Sequence, residues 1–281
     1  MPKASNNQKG QALLIIVLVM VVALTVGLSV VARTITNLKT TTDQANSQKS
    51  LSAAEAGVER AIQNIKAKNN ASISDSFDNN SSFQTTLTPV TAVANQKIWL
   101  NGGNLLKNYE GSYVWITPYD VSNFNNLFTS TWPGSQLTIY WGNSGEVCNT
   151  DPSLNTMAAL EVVVVTGTKA NPSVKTYAFD PCADRAASNH FTVPTAAGTT
   201  LDGRSLPHST GVISISQGLL VKVIPMYADT YVSVMGDQQL PQQGTIIQST
   251  GTSNGTQRSV TVFEGYPELP SELFPLNLLT L

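Results

Sequence analysis

An uncharged run of 22 residues, Gln11 to Ala32, constrains this chain more than any other feature. As a helix it would span about 33 Å at roughly 1.5 Å per residue, enough to cross a hydrocarbon core. The apolar core of a secretory signal is shorter, about 7–15 residues, and is followed by a small-residue cleavage site. This run is too long, and no such site stands before a folded domain. It therefore predicts a retained membrane helix. Lys3 and Lys9 precede the run and Arg33 and Lys39 follow it, so flanking charge does not orient it. The chain beyond residue 66 is rich in Ser, Thr, Asn and Gly and holds both cysteines, Cys148 and Cys182. That composition places the downstream part outside the cell membrane. Only 12% of residues are charged and the net charge is −2, which leaves no basic footprint for nucleic acid.

The helical pattern does not stop with the apolar run. Residues 11 to about 66 contain no Pro, and Gly occurs only at Gly27 and Gly57. One continuous helix of about 55 residues, roughly 80 Å long, is expected. Projected at 100° per residue, Ile35, Leu38 and Ala45 form a weak stripe with Thr42 among them. Leu51, Ala54, Val58, Ala61, Ile62 and Ile65 form a second stripe on nearly the opposite side, expected to pack on the chain's own globular part. Residues 67 to about 95 are Asn/Ser-rich and read as a loop. From 96 to 281 strand-like runs alternate with turn signals. These are QKIWL, SYVWITP, SQLTIYWG, LEVVVVTG, VKTYAFD, GVISI, LLVKVIP, TYVSVMG, GTIIQSTG and RSVTVFEGY. LEVVVV and VKTYAF predict one hairpin; TIIQSTG and RSVTVFEGY predict another, turning at Ser-Asn-Gly. The fold class is α+β: a long N-terminal helix packed on a mainly antiparallel sheet domain. The apolar tail LPSELFPLNLLTL is expected to dock.

The segment KGQALLIIVLVMVVALTVGLSVVARTI, followed by SLSAAEAGVERAI, resembles the N-terminal region of type IV pilins and pseudopilins. More narrowly it resembles the PilX-type minor pilins, whose helix commonly carries a similar AAEA segment. The likeness covers about residues 9 to 66. It implies a leader, residues 1 to 10, cut by a membrane-bound prepilin peptidase between Gly10 and Gln11, with methylation of Gln11. Major pilins carry a Glu at the fifth mature position, which here is Ile15. In the family that carboxylate is thought to meet the free N-terminus of a neighbouring subunit. Its replacement points to a minor or tip-associated position, since a subunit with none ahead of it needs no such pair. The small residues Ala23, Gly27 and Ser29 permit close helix packing in a filament, where apolarity itself supplies little drive.

Several residues elsewhere carry chemistry. In an exported domain Cys148 and Cys182 are expected to form a disulfide, worth roughly 3–4 kcal/mol by loop closure. Glu55, at the edge of the second stripe, is a candidate contact to a neighbouring subunit or to a loop. Asp180, Asp184 and Asp202 lie in turn-like segments without the alternating Asp/Asn pattern and closing Glu of a calcium loop. His190 and His208 have no nucleophile elbow or metalloprotease motif near them. Trp115, Trp132, Tyr140, Trp141 and Tyr109 concentrate the aromatics and are expected to pack between helix and sheet. No enzyme, cofactor or metal is expected.

The expectation is a non-enzymatic minor pilin subunit, with the prepilin peptidase, other pilins, the pilus assembly platform and the membrane as partners. It starts as a single-pass membrane precursor and ends in an extracytoplasmic filament. Two alternatives stand beside it. A type II secretion pseudopilin shares the machinery class, although the K-type member carries a large helical insertion where this chain has strands. An uncleaved signal-anchored surface protein or adhesin would keep residues 1 to 10 and never assemble.

Overall fold

A computed structural model of the chain describes residues 9–67, 71–120, 123, 126–149, 151 and 154–266, with side chains from residue 13 onward. The expected leader lies outside these residues up to residue 8, as does the whole apolar tail LPSELFPLNLLTL. Helix α1 runs unbroken over Lys9–Lys66. The absence of Pro and the spacing of its two glycines permit this length. The chain divides into two compact units.

The first unit comprises the chain up to Gly57 together with Ser74–Gln84 and Ser249–Val260. Strand β1 (Ser74–Ser76) pairs antiparallel with β2 (Ser81–Ala92), Ser74 opposite Gln84 and Ser76 opposite Ser82. The sheet continues through β12 (Leu240–Ser253) to β13 (Thr256–Gly265) in the order β1-β2-β12-β13. The expected Ser-Asn-Gly turn joins β12 to β13. Asn254 and Gly255 both take positive φ, 45° and 81°, as a two-residue type I′ hairpin requires.

The loop expected over 67–95 is corrected by this sheet. Ser81, Phe83 and Thr85 alternate buried with less buried neighbours along β2. Thr and Phe suit a pleated, half-buried surface. The dense Ser and Asn masked that alternation, because a buried serine looks like a loop serine in sequence.

The second unit takes Val58–Ile73, Thr85–Gln248 and the chain from Thr261. Its centre is a two-sheet sandwich. One sheet orders β4 (Ser112–Trp115), β10 (Gly218–Met226), β6 (Ala159–Gly167) and β7 (Pro172–Phe179). The other orders β3 (Lys97–Trp99), β11 (Tyr231–Gly236), β5 (Gln136–Gly142), β9 (Arg204–Ser214) and β8 (Ala196–Leu201). Every described pairing within these two sheets is antiparallel. Alternate residues supply the core: Leu137, Ile139 and Trp141 from one sheet, Leu160, Val162, Val164, Val221 and Val223 from the other. This is the period of two expected of strands with one face inward.

The outer face of the β4-β10-β6-β7 sheet is also covered. Tyr113, Trp115, Leu127, Val163 and Leu220 form a second cluster there. Burial on both faces explains why β6 reads VVVV rather than alternating. The predicted β6–β7 hairpin is present, with Leu160 opposite Phe179 and Gly167 opposite Pro172.

The sequence pattern missed β8, the first half of β9 and helix α2 (Ala183–Asn189). β8 turns into β9 at Asp202 and Gly203, again both at positive φ. Pro181 and the Asp-Pro-Cys context hid α2 as a turn.

Candidate functional site

The helix is the candidate element, and its first unit holds two opposite environments. From Leu13 to Val31 every large apolar side chain is exposed, Ile15 among them at 59%. This is the one helix among the described residues long and apolar enough to cross a membrane. A Cβ added at Gly27 would meet nothing within 4 Å. The threonines of the following turns do not present free hydroxyls. Thr34, Thr36, Thr40, Thr41 and Thr42 each donate to the carbonyl four residues back at 2.9 Å. Such back-bonding lets a hydroxyl sit in an apolar environment without an unmet donor. Ile35 and Leu38 are exposed, so the weak first stripe is not covered by any of the described residues.

Below Ala45 the helix turns from exposed apolar to buried and small. Asn46, Ser50, Ala53, Ala54 and Gly57 are buried. Their spacing keeps one face toward the sheet. The strand opposite is equally small: Ser249, Gly251 and Ser253 of β12 are buried. A Cβ at Gly251 would overlap the carbonyl oxygen of Ser50 and lie 2.6 Å from the backbone nitrogen of Ala54. A Cβ at Gly57 would overlap Ser249 Oγ and lie 2.7 Å from the Phe83 ring. Two polar contacts fix the register: Asn254 Nδ2 donates to Asn46 Oδ1 at 3.1 Å, and Arg258 Nε donates to Ser47 Oγ at 2.8 Å. Leu51 is exposed at 41%, against the expected stripe. A leucine does not fit where two backbones approach this closely. Glu55 is exposed and faces no partner within the described residues. Gly10 and Gln11 lie in the first turns of α1 by backbone.

In the second unit Cys148 and Cys182 stand at disulfide distance, Cα to Cα 5.5 Å. They flank the β6–β7 hairpin in sequence and join the β5–β6 connection to the start of α2. Asp180 is fully buried beside them. It accepts from Arg185 Nε at 2.7 Å, from Arg185 Nη2 at 2.8 Å and from Asn189 Nδ2 at 2.8 Å. A buried carboxylate needs such a fork of donors. Asp202 accepts from Trp99 Nε1 at 2.7 Å and Asp184 lies in the first turn of α2. The three aspartates thus serve separate places. Among the described residues no group of three or more His, Cys, Asp and Glu could hold a metal ion. His208 Nε2 bonds the Glu146 carboxylate, and His190 caps α2 in a left-handed conformation.

The aromatic concentration divides. Trp132 and Trp141 fill the sandwich core and donate to the carbonyls of Gln239 and Ala158. Trp115 lies under Tyr119, Phe128 and Tyr266 on the outer sheet face. These rings pack sheet to sheet and sheet to loop, not helix to sheet as expected, because the alternating strands already present two apolar faces. Tyr140 is half-buried and Tyr109 is 62% exposed. The segment before Tyr109 is held by Asp229, which accepts from Lys107 Nζ at 2.6 Å and from the Asn108 amide at 2.9 Å. The bond from Lys107, then that from Asn108, keeps the Asp229 carboxyl below its usual range.

No family model, curated protein or solved structure matches the chain.

Proposed function

We propose that this chain is a minor, tip-associated pilin subunit of a type IV pilus or related filament, and that it acts without catalysis. The observation that carries this is the division of α1. A fully exposed apolar half continues without a break into a half anchored on its own sheet. The exposed half suits a lipid bilayer first and a bundle of like helices later. Both environments accept the same apolar surface, and the gain on transfer comes from packing. The resemblance of residues 9 to 66 to PilX-type minor pilins supports the same assignment, with Ile15 as the ground for the tip. The prepilin peptidase acts at Gly10–Gln11, and other pilins and the assembly platform receive the mature helix. The cysteine pair suits an extracytoplasmic domain.

The test is the mass of the N-terminal peptide after co-expression with a prepilin peptidase. The expected chain starts at Gln11 with one added methyl group. Retention of residues 1 to 10, while a control pilin is processed in the same cells, would remove the filament assignment. A signal-anchored surface protein would then take its place.

A further inference from the structure

Beside the cysteine pair the second unit carries a recess of about 550 Å³, within the range of about 300–1,000 Å³ typical of small-ligand sites. Two tyrosines line it, and both have an unusual backbone. Tyr109 has φ +64° and Tyr227 has φ +71°, a conformation that bulky residues avoid. Such outliers persist only where the surroundings enforce them, and they gather at ligand sites. Here neighbouring groups hold both tyrosines. The Tyr109 amide donates to the Pro225 carbonyl at 2.7 Å. The Arg185 guanidinium lies 4.1 Å over the Tyr227 ring, and Asn189 Nδ2 donates to its hydroxyl.

Polar groups with capacity to spare line the same recess. Among the described residues the Asn108 side-chain amide, the Asp184 carboxylate and the Tyr109 hydroxyl have no protein hydrogen-bond partner. Asn149 uses only its Oδ1, accepting from the Asp151 amide, and Arg185 uses Nε and Nη2 but not Nη1. The result is a set of donors and acceptors beside ring faces.

We infer that this recess, between Tyr109 and Tyr227 beside the Cys148–Cys182 bridge, binds a neutral glycan. A pyranose offers an apolar C–H face to an aromatic ring and hydroxyls that both donate and accept around its edge. Amides, a carboxylate and a phenol match that edge. Charge selects against acidic sugars. The one guanidinium is already paired with Asp180, Lys107 is paired with Asp229, and Asp184 adds an unpaired negative charge. Among the described residues lining the recess no cation is left without a countercharge, so the spare Arg185 Nη1 donor suits a neutral hydroxyl better than a sialyl carboxylate or a sulfate. This site lies outside the helix and does not depend on the filament assignment.

The test uses the full chain in detergent micelles, so that assembly plays no part. It is applied to an immobilised panel of neutral hexose and N-acetylhexosamine oligosaccharides with their sialylated and sulfated counterparts. The best-retained soluble oligosaccharide is then titrated by calorimetry. Retention of neutral members is expected, weakened about tenfold or more by Tyr109→Ala and only a few-fold by Tyr109→Phe. Asp184→Ala should also weaken it. Tyr109 is exposed, so its variants should melt as the parent does. Three results would overturn the inference: no member retained, retention only of members bearing a sialyl or sulfate group, or equal binding by Tyr109→Ala.

Discussion

Gly27 and Gly57 occupy the same helix and meet opposite surroundings. Around Gly27 the side chains are long, apolar and exposed; around Gly57 they are small, partly polar and buried. Apolarity therefore does not by itself predict burial along α1: the long apolar side chains of the upper half are exposed, and Asn46, Ser50, Ala53, Ala54 and Gly57 of the lower half are buried. The lower half buries itself on its own sheet because Ser, Ala and Gly let two backbones touch. The upper half cannot do this with Leu, Ile and Val, and its surface is left for another environment. A continuous exposed apolar surface of this extent marks a membrane or protein contact.

The comparison breaks most directly at Gly251. Gly251→Val should destabilise the first unit by about 3 kcal/mol or more, since the added carbons meet backbone that cannot rotate away. Denaturant unfolding, with hydrogen exchange of the amides from residues 46 to 57, reads this. An unchanged midpoint would refute the close approach of β12 to the helix. Gly57→Val should act in the same direction but less, because Ser249 Oγ and the Phe83 ring can shift.

The upper half fails differently. Val22→Asp should leave the folded units intact yet oppose membrane insertion by about 2.5–3.5 kcal/mol. Alkaline extraction of membranes separates inserted from released chain, and full retention of the variant would count against a spanning segment. A smaller effect of opposite sign is expected at Gly27. Gly27→Ala meets open space and should favour the helix by about 1 kcal/mol. Circular dichroism of the full chain in detergent should show equal or greater helicity. A fall in filament yield despite that gain would place a close helix contact at Gly27.

This contrast also decides what was legible beforehand. The apolar run and the absence of Pro were enough for the whole of α1. The alternating run LTIYW and the unbroken β-branched run of LEVVVV were enough for their sandwich strands, because apolarity and β-propensity agree there. The buried face of the helix was legible in part: Ala54, Val58 and Ala61 of the expected stripe are buried, but its polar members were missed. Asn46 and Ser50 look solvated in sequence, and Leu51 looks buried, yet each is the reverse. The same ambiguity turned β2 into an expected loop. Asp202-Gly203 was a stronger hairpin signal than its polar neighbours suggested. In the recess beside the cysteines, only Tyr109 stood out beforehand among the aromatics. Tyr227 comes from the turn after β10 and Asp184 and Arg185 from α2, neither of which a local pattern announced.

A buried carboxylate in the sandwich gives the smallest effect and the finest test of polarity against burial. Glu161 interrupts the apolar run of β6 and is only 7% exposed. Burial raises its pKa above the ordinary 4.5, and the charge of Lys222 opposes that shift without cancelling it. The folded state therefore holds this proton more tightly than the unfolded state does. The penalty is absent below pH 4.5, grows as pH rises through the folded value and is complete above it. Glu161→Gln keeps the shape and removes the charge, so it should stabilise the second unit at neutral pH by about 1 kcal/mol or less. The advantage should vanish as the pH is lowered below the ordinary glutamate range. Melting of parent and variant from pH 4 to pH 8 reads the difference directly. A variant less stable than the parent at pH 8 would mean that Lys222 holds Glu161 as a net favourable pair, and that this buried charge contributes to the fold.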